Sequence, residues 1–393
     1  MSSLLIVNAG SSSLKFAVYN LPLAEGAQAV FRGQVDGIGA DARFFVKDAS
    51  GNRCHDQELP KGPDLEAEHQ AGLDALLDWL DAQKLTLAAV GHRVVHGGAS
   101  FAAPLRIDAD NIEELEKLVP LAPLHQPHNL RPMRTLMRRL PDVPQVACFD
   151  TAFHRSQPAI AETFAIPRAI TAEGVKRYGF HGSSYEYIAR QLPGVLGPRA
   201  EGSVVVAHLG NGASMCALRE RKAVGSSMGF TAVDGLMMGT RTGLLDPGVM
   251  LYLMDTRGWG SKELTNLIYK QSGLLGVSGI SQDMRTLQES DAPEAKEAID
   301  LFCYRAAREL GSLAVAAGGL DAIVFTGGIG ENSPAVRAGI LAHLGLFGVS
   351  VDADANNTRG RLRIDKADSR VALAVIPTDE EWMIAHHAQE LLG

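Results

Sequence analysis

Apolar positions along this chain follow two alternating rhythms, one of strands and one of helices, and the opening pattern returns in the second half. Leu4, Leu5, Ile6 and Val7 form a continuous apolar run, which reads as a short buried strand. Beyond a turn at residues 8–13, Leu14, Phe16 and Val18 alternate with Lys15, Ala17 and Tyr19, the period of a strand with one covered face. Residues 29–35 read as a third strand, and the Gly/Asp/Asn-rich region up to Pro63 as loops and short strands. From 64 to 84 the period becomes helical, with Leu73, Leu76, Leu77 and Leu80 on one face and Asp74, Asp78 and Asp81 on the other. Residues 85–95 read as a buried strand ending in His96-Gly97-Gly98, 111–118 as a short helix before a proline-punctuated loop, and 143–149 as a strand ending at Asp150.

After a turn-rich stretch to Gly182 and a helix at 184–192, the opening pattern recurs. Val204 to Ala207 make a strand, His208-Leu209-Gly210-Asn211-Gly212-Ala213-Ser214 a turn, Met215 to Leu218 a second strand, and 222–228 a third. Ala298, Ile299, Phe302, Ala306, Leu310 and Leu313 keep helical spacing, and the strand Asp321-Ala322-Ile323-Val324-Phe325 runs into Gly327-Gly328 as the earlier one ran into Gly97-Gly98. This order predicts an α/β protein that arose by distant duplication, with two domains.

Composition sharpens the picture by exclusion. At 393 residues the chain exceeds one comfortable core, and 46% apolar residues supply enough material for two. A formal charge of −8 argues against a nucleic-acid surface, so an anionic ligand has to be held by local positive groups. Cys54, Cys148, Cys216 and Cys303 lie far apart, without the paired spacing of a zinc site, and suit reduced thiols in a cytoplasm. No run approaches the roughly 20 apolar residues of a membrane span, and the opening lacks the pattern of a cleaved leader.

The turn at 8–13 carries more polar equipment than a hairpin needs. Gly10 lets the backbone bend or approach a ligand, Ser11, Ser12 and Ser13 add hydroxyls, and Lys15 adds a point charge. A phosphate cradle and a plain hairpin are both open on this pattern. Arg93 stands among Gly91, Gly97 and Gly98, and Arg241 between Gly239 and Gly243, where a guanidinium fork could grip a carboxylate or phosphoryl group. Asp150 ends an apolar strand, the place where ligand groups collect in α/β sheets.

Ten stretches in order give the chain a specific resemblance: NAGSSSLKF at the start, GHRVVHGG at 91–98, LAPLH at 121–125, FDTAFH at 149–154, YGFHG at 178–182, HLGNGAS at 208–214, GLMMGTR at 235–241, DMR at 283–285, FTGGIGEN at 325–332 and IPTDEE at 376–381. On these the chain resembles, end to end, the acetokinase family within the actin-like, sugar-kinase-like ATPase superfamily. The resemblance implies a duplicated ribonuclease H-like (actin-like ATPase) fold of two domains with a cleft between them. The first would cover 1–150, joined by a C-terminal helix at about 380–393, and the second 151–379. It further implies reversible phosphorylation of acetate by ATP, giving acetyl phosphate and ADP, with magnesium or alternatively manganese as the ion, no nucleic-acid or membrane partner, and a homodimer formed through the second domain. Propionate or another short-chain acid as acceptor, and a non-metabolic ATPase of the same fold, are the rival readings.

By the same resemblance Arg93, Arg241 and His181 act at the transferred phosphoryl group and Asp150 is the catalytic acid. Asn8 and Glu380 hold the metal, while Glu380 also stands where a carboxylate favours a helix start. Val95, Leu124, Phe180 and Ala232 line the acyl pocket, and His125 is a neighbour of the site. Lys15, Ser11, Ser13 and the backbone of His208, Leu209, Gly210, Asn211 and Gly212 hold the phosphates. Asp283, Met284 and Arg285 with Gly328, Ile329, Gly330, Glu331 and Asn332 form the adenosine pocket. Three positions depart from the family pattern: Tyr185 stands in place of a histidine, Ala232 in place of a proline, and Asp379 in place of an asparagine.

Overall fold

The computed structural model describes residues 2–10 and 12–392. Two compact units emerge, one holding the chain up to Ala152 together with the segment from Asp379 onward, the other Phe153–Thr378. Among the described residues no helix is long and apolar enough to cross a membrane.

The first unit is built on an eight-stranded sheet. Its opening run extends to β1 (Ser2–Ala9), followed by β2 (Ser13–Asn20), β3 (Phe31–Asp36), β4 (Arg43–Asp48), β5 (Arg53–Glu58), β6 (Thr86–Val94), the short β7 (Leu105–Arg106) and β8 (Gln145–Phe149). Their order is β5-β4-β3-β2-β1-β6-β8-β7, antiparallel from β5 to β1 and parallel through β1, β6 and β8. The Leu65–Ala82 helix starts where Asp64 accepts the Ala67 amide hydrogen at 2.8 Å, the side-chain cap that its first turn needs. Its Leu73, Leu76, Leu77 and Leu80 bury against Phe16, Val35, Phe44 and Val46 of the sheet. The C-terminal helix, Glu380–Leu392, comes so close to β6 that a Cβ on Gly91 would meet Ile384 at 2.7 Å. Only glycine fits there.

One sequence expectation fails in this unit. The proline-punctuated stretch contains a helix, Gln126–Arg139, with Pro127 in its first turn and Pro132 inside it. Proline costs nothing in the first turn, where its missing N–H has no intrahelical partner, and Leu130, Met133 and Leu136 bury along one face. Packing outweighs the propensity of Pro132.

The second unit repeats the plan on five strands. These are β9 (Ser203–Leu209), β10 (Ala213–Arg219), β11 (Lys222–Ser226), β12 (Ala322–Thr326) and β13 (Ala372–Val375), in the order β11-β10-β9-β12-β13. Antiparallel β11-β10-β9 and parallel β9-β12-β13 match β3-β2-β1 and β1-β6-β8 strand for strand. The Pro293–Ala316 helix buries Ala298, Phe302, Ala306, Leu310 and Leu313, as its spacing predicts. Each unit therefore presents one hairpin turn, β1–β2 or β9–β10, beside the end of a parallel strand.

Candidate active site

In the first unit, β1 carries Asn8 at its end, and the antiparallel register sets Lys15 of β2 opposite it. The turn closes through the Gly10 amide, which donates to the Ser13 carbonyl at 2.8 Å. Lys15 and Ser12 are exposed and Ser13 is half-buried, while Ser11 lies outside the described residues.

Arg93 on β6 is the centre of this unit's chemistry. Its Nε donates to Asp150 Oδ1 at 2.9 Å and its Nη2 to Oδ2 at 2.6 Å, a two-point grip. A third donor, Nη1, reaches Asn8 Oδ1 at 3.3 Å, and Glu380 Oε2 lies 3.9 Å from Nε. Asp150, 1% exposed, is anchored by its own amide donating to the Val94 carbonyl at 2.9 Å. Burial opposes charge on Arg93, but Asp150 and Glu380 outweigh it and the guanidinium stays ionised. Burial, aided by the carboxylates of Asp150 and Glu381 and opposed by Arg93, pushes the Glu380 carboxyl up to about 7.

Asn8 and Glu380 both lie near the Arg93 guanidinium, and an amide oxygen with a carboxylate is a hard donor pair that suits a small divalent ion retaining several waters. Among the described residues no group of three or more His, Cys, Asp or Glu could hold a metal by itself. Asp379 is drawn elsewhere. Arg32 donates to it at 2.8 Å and to Glu381 at 3.2 Å, so the two neighbours of Glu380 are clamped to β3. Val95 is buried with its amide donating to Asn129 Oδ1 at 2.9 Å, and Asn129 Nδ2 donates to the Ala9 carbonyl at 2.7 Å. This link between the first turn and the end of β6 was not read from the sequence, because it depends on the unexpected helix. Leu124 is 38% exposed, and His125 occupies the N-cap position of that helix.

In the second unit, His181 starts the Gly182–Leu196 helix with a left-handed backbone, φ 60°. Its Nδ1 lies 2.8 Å from Ser214 Oγ, and its ring stacks on His208, centroids 4.3 Å apart. The β9–β10 turn brings Gly212 beneath two cationic or donor groups. A Cβ added there would sit 3.3 Å from Arg241 Nη2 and 3.6 Å from His181 Nε2. Arg241 Nη1 donates to the Ala232 carbonyl at 2.7 Å, and Phe180 is buried with its carbonyl 2.8 Å from His154 Nε2.

A cavity of about 440 Å³ in this unit gathers Gly210, Asn211, Asp283, Met284, Arg285, Gly328, Ile329 and Asn332. Gln282, Gln288 and Ser333 complete the lining, residues without a motif of their own to mark them. The Asp283 carboxyl is held at about 2 by hydrogen bonds from Arg285, which grips it through Nη2 at 2.6 Å. Glu331 does not line this cavity. Its carboxylate accepts the Gly327 amide hydrogen at 2.9 Å and so caps a short helix, Gly327–Asn332. Gly330 and Leu209 are likewise buried behind the surface, the latter within β9.

Known proteins resemble the chain over its whole length. The model of the Acetokinase family matches residues 3–386. A protein named acetate kinase from Rhodopseudomonas palustris (strain ATCC BAA-98 / CGA009) is 50% identical over 393 residues, covering 99% of this chain and 98% of the relative. Among solved structures, a propionate kinase from Francisella tularensis subsp. tularensis SCHU S4 superposes with TM-score 0.91 at 37% identity, over 98% of this chain and 99% of its own. Porphyromonas gingivalis acetate kinase does so with TM-score 0.89 at 35% identity, over 100% of both chains.

Proposed function

The chain belongs to the acetokinase family, and from that membership we infer that it transfers a phosphoryl group from ATP to acetate, reversibly, giving acetyl phosphate and ADP. Its α/β fold is the actin-like ATPase fold of its structural neighbours. The observation that carries the activity is the full-length likeness to proteins named for it.

The residue roles follow from chemistry. Acetate is already ionised near neutral pH and needs no base, so the work lies in orienting it and in stabilising charge on the transferred group. We assign the phosphoryl oxygens to Arg241 and to His181 Nε2, both directed at Gly212 of the second turn. Arg93 serves the reacting end with its guanidinium kept ionised and oriented by Asp150. The exposed cavity at Asp283–Arg285 and Gly328–Ile329 takes the adenosine moiety. Asn8 and Glu380 would hold magnesium, or manganese, whose chemistry when bound is to neutralise polyphosphate charge. Support for a homodimer comes from the Pro247–Arg257 helix, which leaves Leu251 and Tyr252 62% and 64% exposed. The cysteines form no disulfide among the described residues, which suits a cytoplasmic enzyme.

Acyl-phosphate formation from ATP and acetate tests the reading directly, and no product with acetate above background would refute it. Propionate deserves the second arm. Ala232, whose carbonyl receives Arg241, puts a methyl group where the family pattern has a proline ring. One methylene in an apolar pocket is worth about 1 to 3 kcal/mol, so a shifted ratio of kcat/KM is expected, with Ala232→Pro sharpening the preference for acetate. A folded Ala232→Pro enzyme with an unmoved ratio removes position 232 from the acyl pocket.

A further inference from the structure

Tyr185 replaces a histidine of the family pattern, and the structure gives its hydroxyl a task. Tyr185 Oη lies 2.5 Å from Ser214 Oγ, which in turn lies 2.8 Å from His181 Nδ1. Tyr185 and Ser214 are 0% exposed, so water does not compete for these groups. Ser214 Oγ has these two partners and one proton to give. A phenol is the better donor of the two hydroxyls, and with Tyr185 giving its proton to Ser214 the Ser214 proton is available to the ring nitrogen, the arrangement that uses both hydroxyl protons.

We propose that Tyr185, acting through Ser214, is a positioning residue for phosphoryl transfer: the chain Tyr185–Ser214–His181 makes Nδ1 an acceptor and so keeps the imidazole proton on Nε2. That nitrogen is the one 3.6 Å from the site of a Gly212 Cβ, beside Arg241. A donor there serves an anionic phosphoryl oxygen, whereas the other tautomer would turn a lone pair toward it. The ring cannot easily turn away, since His208 stacks on it and is itself tied, Nδ1 to Ser184 Oγ, at 2.8 Å.

This inference rests on the placement of His181 at the transferred group, and the experiment separates the two. Protein labelled with 15N-histidine reports the tautomer of each ring, with the His181 signals assigned by their loss in His181→Gln. Native protein is expected to show His181 with its proton on Nε2, and Tyr185→Phe and Ser214→Ala to show a mixed population. Turnover should fall severalfold in Tyr185→Phe and roughly tenfold in Ser214→Ala, the usual cost of losing a group that orients a site ligand. KM for ATP and for acetate should stay within about twofold, because a positioning bond acts on the reacting geometry. The double variant should be no slower than Ser214→Ala, since Tyr185 acts through Ser214. A proton on Nδ1 in the native protein, an unchanged tautomer in Tyr185→Phe, or additive losses in the double variant would each overturn the proposal. Tyr185→Phe keeps the buried ring, so it decides the matter by itself if Ser214→Ala does not fold. Native turnover in His181→Gln would instead remove His181 from the phosphoryl group, whatever its tautomer.

Discussion

The two units share a strand order and differ in the chemistry placed on it. At the end of β1 and β6 the first unit assembles ions: Arg93 forks Asp150, with Glu380 at 3.9 Å. At the end of β9 the second unit assembles hydroxyls, imidazoles and a carbonyl: Tyr185, Ser214, His181, His208 and the Ala232 oxygen that receives Arg241. A duplicated scaffold fixes where side chains emerge but not what they are. Oppositely charged groups held at fixed distance suit an acceptor carboxylate and a cation, and a glycine turn under donors suits a polyphosphate.

The contrast is most sharply tested at the arginines. Arg93→Ala and Arg241→Ala should each reduce turnover at least about a hundredfold, the effect of ~3 kcal/mol of lost transition-state stabilisation. Only Arg93→Ala should also unfold more easily, by about 3 kcal/mol in a urea titration, because it leaves the buried Asp150 carboxylate uncompensated. Equal stabilities in the two variants would show that the ion pair adds nothing net to the fold.

Next in size is Asp150→Asn, which should lower turnover by more than tenfold while ATP affinity, read by calorimetry, changes little. The adenosine cavity belongs to the other unit, and a parallel loss of ATP binding would contradict that division. The turns themselves give a smaller effect. Gly212→Ala should slow turnover severalfold, since its methyl presses at 3.3 Å on Arg241, whereas the Gly10→Ala methyl meets only Ser13 atoms at 3.7 and 3.8 Å and should leave the melting temperature unmoved. Indistinguishable kinetics for native enzyme and Gly212→Ala would place the reacting group elsewhere.

Acid should act on a buried histidine in each unit. His92 in the first and His154 in the second are each depressed to about 4 by burial. The unfolded chain, with histidine near its ordinary 6.5, binds more protons than the folded one between those values. The stability these neutral rings contribute is therefore complete above pH 6.5 and is lost as pH falls toward 4. Thermal melts across that window should decline, and His154→Phe should flatten the decline. A flat profile in the native enzyme would show that both rings reach water when protonated.

The amino-acid sequence by itself determined the strands of both hairpins, the strands that run into glycine turns, several of the long helices and the duplication, because those follow from local period: β1, β6, β9 and β12 announce themselves as apolar runs into glycine turns. It also determined the family, since ten motifs in order carry more information than any pattern of hydrophobicity. The tertiary structure decided what no local window contains. It decided that Gln126–Arg139 is a helix despite its prolines, since burial of Leu130, Met133 and Leu136 outweighs propensity. It decided that Glu331 caps a helix rather than lining the cavity. And it gave Tyr185 a partner, because a hydrogen bond to Ser214 joins residues 29 apart in the chain, and such a bond exists only once β10 and the Gly182–Leu196 helix have packed. Period and motif are properties of neighbours in sequence, whereas a proton's position depends on neighbours in space.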